Sequence, residues 1–224
     1  MALLTETEQK RISEAVARAE ARTGGEIVTA IIPESDDYGF NELLFAVIIG
    51  VLTFLLIFAL HDPLERLMQR LFWTYEPWYF MLLLGVLPLI KGGGAYFYAQ
   101  VPFVDRFIVP RARMAEAVAR RARRHFMEAG VYDTVDRTGI LIFVSQLERR
   151  VELIADRGID EKVAPGAWDA IVSSLTRGIA DGRTVEAMIE AIDRCGDILE
   201  GNVIRRTDDT NELDNRTTEL ESGS

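Results

Sequence analysis

The sequence predicts an α/β domain whose first strand is separated from the rest of its sheet by an apolar helical hairpin. Three observations carry this. EIVTAII (Glu26 to Ile32) and GILIFVS (Gly139 to Ser145) are short and apolar, the pattern of strands near the centre of a sheet. Between them, Leu43 to Leu60 holds no charged residue, and a second apolar stretch opens at Trp78. The whole chain of 224 residues is 49% hydrophobic yet 27% charged, which requires the apolar residues to be concentrated in one region.

The elements follow in order. Thr5 is a good N-cap, Glu8 completes a capping box, and Ile12, Ala15, Val16 and Ala19 recur at helical spacing. This predicts an amphipathic helix ended by Gly24-Gly25, and Pro33 then closes the first strand. Leu43 to Leu60 is long enough to cross a hydrocarbon core of roughly 30 Å at about 1.5 Å per residue. The second span is counted from Trp78 to Val104, with Pro88 and Gly92-Gly93-Gly94 allowing a kink and Lys91 left to snorkel or face protein. If the two strands share a sheet, both lie on one side of the membrane, so the number of crossings is even.

Arg106, Arg111, Arg113, Arg120, Arg121, Arg123 and Arg124 crowd the exit of the second span, against Arg66 and Arg70 in the loop between spans. The positive-inside rule puts that exit in the cytoplasm, in line with a start, MALLTETEQKRISEAVARAEA, that lacks a signal peptide's apolar core. Trp73, Tyr75, Trp78 and Tyr79 then form the aromatic belt on the far side. The arginine-rich helix has three readings: a solvated face with Met114, Val118 and Phe126 packed on the sheet, an anchor for anionic lipid, or a nucleic-acid surface. A net charge of −10 argues against nucleic acid as a partner, and none is expected.

ERRVELIAD (Glu148 to Asp156) fits a strand in hairpin with GILIFVS. Two amphipathic helices follow, one over Pro165 to Gly182 with Trp168, Ile171, Val172, Leu175 and Ile179 on one face, and one through Val185, Met188, Ile189, Ile192 and Leu199. The expected divisions are 1–40 (helix and strand), 41–104 (membrane hairpin), 105–200 (the rest of the domain) and 201–224 (a disordered acidic tail).

RTGILIFVSQLERRVELIADRGIDEKVAPGAWDAIV, TGGEIV in the first strand, the helix around Trp168 and DDTNEL in the tail together resemble the TPM domain family, which is sometimes labelled a phosphatase domain. The likeness is to a bacterial membrane subgroup with a two-span hairpin inserted after the first strand. It implies an α/β/α sandwich on a small mixed sheet, with the arginine helix as a crossover between parallel strands, expected to be right-handed. It also implies a place in the bacterial inner membrane with both termini cytoplasmic. Relatives are linked to photosystem repair and assembly, to receptor modulation in animals, and in some cases to acid phosphatase activity and calcium binding. The fold alone does not choose among these.

The residues offer little for covalent catalysis. Cys195 is the sole cysteine, and Gly201 stands where a cysteine phosphatase needs an arginine. Phe126 follows Arg124-His125 where a histidine phosphatase has glycine, and Asp133 and Asp136 lack the spacing of an aspartyl-phosphate motif. There is no CxxC or HExxH for zinc. The candidate acidic cluster is Asp133, Asp136, Asp156 and Asp160, which a β-hairpin would carry to one sheet edge and which would suit Ca²⁺ or Mg²⁺. Arg137-Thr138 stands where many relatives have an acid before the glycine of the central strand, which argues against calcium, and no cofactor is assigned.

The expectation is a membrane-tethered accessory or assembly factor whose cytoplasmic domain contacts a larger membrane protein complex. A divalent-metal phosphatase and an anionic-lipid scaffold are the alternatives. Lys91, Arg111, Arg113, Arg120, Arg121, Arg123 and Arg124 are the candidate contacts to lipid or partner.

Overall fold

The computed structural model describes residues 3–203 and 211–223, apart from the side chain of Pro102. In chain order these form α1 (Glu6–Glu20), β1 (Ile27–Ile32), α2 (Gly39–Ala59), α3 (His61–Leu71), α4 (Trp78–Ala99), α5 (Pro102–Ile108) and α6 (Arg111–Glu128). A 3₁₀ turn, β2 (Ile140–Ser145), β3 (Arg150–Ala155), α7 (Arg157–Asp160), α8 (Ala167–Ala180), α9 (Thr184–Asn202) and β4 (Thr218–Glu219) follow. The chain divides into two compact units, with Asp37–Arg111 as one and the residues on either side as the other.

The flanking residues build a mixed sheet in the order β3-β2-β1-β4. β1 and β2 pair in parallel from Ile27↔Ile140 to Ile32↔Ser145, and β3 returns antiparallel to β2. Because side chains alternate along a strand, each strand serves two cores. Ile27, Ile31, Ile140, Ile142 and Val144 pack with Ile12 and Val16 of α1, Leu175 of α8, and Met188 and Ile192 of α9. Val28, Ala30, Ile32, Leu141 and Phe143 pack on the other face with Val118, Ala122 and Phe126 of α6. The result is the expected α/β/α sandwich, and the unbroken apolar strands are explained by burial on both sides.

The Thr5–Glu8 capping box forms, with Glu8 N–H donating to the Thr5 hydroxyl at 3.3 Å and Thr5 N–H donating to the Glu8 carboxylate at 2.8 Å. Of the tail expected to be disordered over 201–224, residues 204–210 and 224 lie outside the described residues, and the expectation is corrected for the described ones. Gly201 and Asn202 belong to α9, and β4 pairs with β1 through Ala30↔Thr218 and Ile31↔Glu219. Leu213 and Leu220 cover the second core, and the Glu219 carboxylate accepts from Leu3 N–H at 2.8 Å. Strand pairing, two leucines and a few polar contacts seat a segment that composition marks as polar.

In the other unit, α2 and α4 are both long and apolar enough to cross a membrane. Their large side chains, Leu44, Val47, Leu55, Phe58, Met81, Leu82 and Leu89 among them, point outward and exposed. Ile57 and Phe80 are the large apolar side chains buried here, and between them and the hairpin's open end the inner seam carries small residues. A Cβ on Gly92 would stand 3.1 Å from the Ala46 carbonyl, and one on Gly50 would stand 3.3 Å from the Pro88 carbonyl. In lipid, apolar helices would gain nothing by hiding leucine, and close backbone approach would hold them together. The second span is shorter than expected: α4 runs unbroken through Pro88 and the glycine run but ends at Ala99, and Pro102 starts the separate α5. Proline at N1 favours a new helix start.

Candidate functional site

The amino ends of β1 and β2 gather the polar groups of the sandwich. The Glu20 carboxylate, at the end of α1, accepts from Ile27 N–H at 2.9 Å and from the Asn215 amide at 2.8 Å. Glu26, 6% exposed, accepts from Glu212 N–H at 3.2 Å. Ala17, Ala21, Thr23 and Asn211 complete the walls of a cavity of about 230 Å³ around the two glutamates. Burial pushes Glu20 up to about 8, and the neighbouring Glu26 charge and carboxyl add to the rise against the Ile27 and Asn215 hydrogen bonds. Burial and the Glu26 charge thus favour the protonated form of Glu20, and the tail segment 211–215 closes over the pair.

At the carboxyl ends of the same strands, the Glu148 carboxylate accepts from Ser35 N–H at 2.9 Å and from the Ser145 hydroxyl, which itself meets the Ser35 hydroxyl at 2.8 Å. Arg120 reaches Asp36 at 2.7 Å. Ligands of open α/β sheets favour this edge, yet here a serine–glutamate knot ties the chain leaving β1 to the β2–β3 turn. Arg149 holds φ 49° in that turn. Glu148 is 8% exposed and anchors the point from which the apolar hairpin departs.

The candidate acidic residues divide. Backbone atoms of their loops do meet: Asp156 N–H donates to Gly139 carbonyl at 2.9 Å, and Gly158 packs on the carbonyls of Asp136 and Arg137, where a Cβ would stand 2.5 Å from either. Their carboxylates have separate duties. Asp156 is buried and caps α7 through Arg157 N–H at 2.7 Å, while Asp160 accepts from the Trp168 indole at 3.1 Å. Asp133 and Asp136 are exposed. Among the described residues, no three His, Cys, Asp or Glu side chains form a group that would hold a metal ion.

The arginines of α6 are likewise not one surface. Arg111, Arg120, Arg123 and Arg124 are exposed and Arg113 is half-buried, but Arg121 is 5% exposed and meets Glu128 at 3.1 Å. Beside it His125 is 4% exposed, with its ring tilted against Phe143 at 6.4 Å between centroids. Burial, helped by the Arg121 charge, pulls His125 below the usual histidine range. Lys91 is exposed on α4. Burial drives the Cys195 thiol up to about 12 and removes it from nucleophilic chemistry.

Sequence reasoning missed the Glu20–Glu26 pair, because Glu20 reads as the last charge of a helix and Glu26 as a strand entrance. The available signal was the spacing of two acids across the glycine turn Gly24-Gly25, with the amide-bearing NELDN segment far along the chain.

These features define an α/β/α sandwich with an apolar helical hairpin inserted between two parallel neighbouring strands. Residues 104–198 match the TPM domain family. The matched stretch begins at Val104, so β1 and both long apolar helices precede it. In structure the chain is similar to the BA42 protein of the psychrophilic bacterium Bizionia argentinensis, solved by NMR, with a TM-score of 0.57 over 98% of this chain and 97% of that one. The two share 17% sequence identity, so this likeness speaks for the fold alone. No curated protein matches the chain.

Proposed function

We propose that the protein is a membrane-tethered accessory or assembly factor, its TPM domain held at the cytoplasmic face of a bacterial inner membrane by the α2–α4 hairpin and offered to a larger membrane protein complex. One observation carries the reading: β1 and β2 are hydrogen-bonded parallel neighbours, yet the chain between them contains two charge-poor helices with outward leucines and phenylalanines. A tether built into the crossover fixes the domain at two points, which suits a part that must present one surface in a set orientation. The arginine-rich exit from the hairpin favours a cytoplasmic domain.

The sandwich buries the hydroxyl that meets a carboxylate at its carboxyl edge, Ser145 on Glu148. Its polar groups at the carboxyl edge are spent on the root of the hairpin, which favours binding over turnover. The test is extraction of the tagged chain from its native membrane in gentle detergent. Resistance to alkaline carbonate and a stoichiometric co-purifying complex are the expected results. A monomer isolated without any companion would overturn the accessory role, and release by carbonate would overturn the tether.

A further inference from the structure

Lys91 is a single cation in a helix that is otherwise apolar from Trp78 to Ala99. It lies about 12 Å short of the end of α4 at ~1.5 Å per residue. The adjacent Gly92 packs on Ala46 and Gly50 of α2, and Gly50 is about 10 Å along its helix from Leu43, where the charge-free stretch begins. Both measures put Lys91 well inside the apolar zone. Helical side chains lean toward the amino end, here away from the near surface, so its four-carbon stem does not reach that surface unaided.

Nothing in the chain answers the charge. Lys91 makes no ion pair or hydrogen bond with any described residue, and neither Leu43 to Leu60 nor Trp78 to Ala99 contains an acid. A second copy therefore has no carboxylate to offer at that depth. Successive helical residues are about 100° apart, so Lys91 points to the side of the α2 seam. Gly94 and Tyr98 share that side, at i+3 and i+7. A Cβ on Gly94 would meet nothing within 4 Å, and Tyr98 is exposed. That face admits the backbone of another helix beside the cation.

We propose that Lys91 is the docking point for a transmembrane helix of a different protein carrying an aspartate or glutamate at matching depth. The pair is formed where neither charge has water, which makes it selective: a helix lacking the acid leaves Lys91 buried alone, and an acid lacking Lys91 is equally stranded. This rests on the membrane-tethered reading and names the chemistry of its partner.

The experiment places a photoreactive p-benzoylphenylalanine at Tyr98 in the full chain and irradiates native membranes, with Lys91→Met, Lys91→Arg and Lys91→Glu compared against the parent. The expected result is one polypeptide adduct that Lys91→Arg retains and Lys91→Met lowers by about tenfold. Its crosslinked span should contain an Asp or Glu whose change to Lys restores the adduct with Lys91→Glu. An adduct unchanged in Lys91→Met, one formed with a second copy of this chain, or one formed with lipid alone would each overturn the proposal. Carbonate extraction of the same membranes separates the two failures: a carbonate-resistant chain whose adduct ignores Lys91 defeats the ion pair alone, whereas a released chain defeats the tether beneath it.

Discussion

The sandwich and the hairpin use opposite rules with the same residues. In the sandwich, Ile31, Ile142 and Phe143 are fully buried. In the hairpin, Leu55, Phe58 and Leu89 face outward, and the closest approach between helices is at glycine, alanine and a proline carbonyl. Water drives the first arrangement, since each buried apolar side chain is removed from it. The second has no such drive and depends on how closely two backbones approach. An apolar residue therefore reports burial in one unit and exposure in the other.

The sharpest way to break this comparison is to make the same kind of truncation in both units. Phe143→Ala opens a cavity between β2 and α6 and is expected to cost about 3–5 kcal/mol. Leu55→Ala, at a position 52% exposed, is expected to stay within about 0.5 kcal/mol. Urea unfolding of the detergent-solubilised chain, followed by near-ultraviolet circular dichroism, measures both. A large loss from Leu55→Ala would mean that this face of α2 is covered.

Enlarging a glycine gives the converse experiment. Gly92→Leu pushes against the Ala46 carbonyl and should cost about 1–3 kcal/mol through overpacking, read as a wider separation between spin labels on α2 and α4. Gly93→Leu, whose Cβ would meet nothing within 4 Å, should leave that distance unchanged. The pair distinguishes a seam set by geometry from a helix that is merely rich in glycine.

These contrasts also show what sequence conveys. The capping box, the four buried positions of α1, both central strands and both apolar helices were legible, because each is a local pattern with a fixed period. The ends of the second span were not, since a proline inside α4 and one at the start of α5 look alike in sequence and act oppositely. The docking of the tail was also hidden. It depends on Glu219 meeting Leu3 and on Thr217 meeting Thr29 at 2.8 Å across nearly the whole chain. The Glu20–Glu26 pair shares that problem, as half of its partners come from 211–215.

The pair gives a pH dependence that belongs to the sandwich alone. The fold favours the proton on Glu20 up to about pH 8, whereas the unfolded chain releases it near 4.5. The folded state thus binds more protons across that window, and stability is expected to fall as pH rises from about 5 to 8 and to level off above. Glu20→Gln stays neutral and should flatten the slope, read as the urea midpoint against pH. A wild-type midpoint that rises over the same range would show that Glu20 is ionised in the fold. The separation of the spin labels in the hairpin should not follow this titration.

The most local effect concerns the first turn of α1. The Thr5 hydroxyl accepts from Glu8 N–H, so Thr5→Ala strands a donor at a helix start and should cost about 1 kcal/mol. Amide hydrogen exchange measures it, with faster exchange confined to the first turn of α1. The neighbouring contacts make the locality informative. Leu3 and Leu4 N–H both donate to Glu219 at the edge strand, so exchange that also quickens at Leu220, whose N–H is bonded to the Ile31 carbonyl at 2.9 Å, would show that the cap and the tail open together. Separate opening would mean that the tail is held by its own leucines and strand pairing rather than by the amino terminus, and that the cavity at Glu20 and Glu26 is closed independently of the first turn of α1.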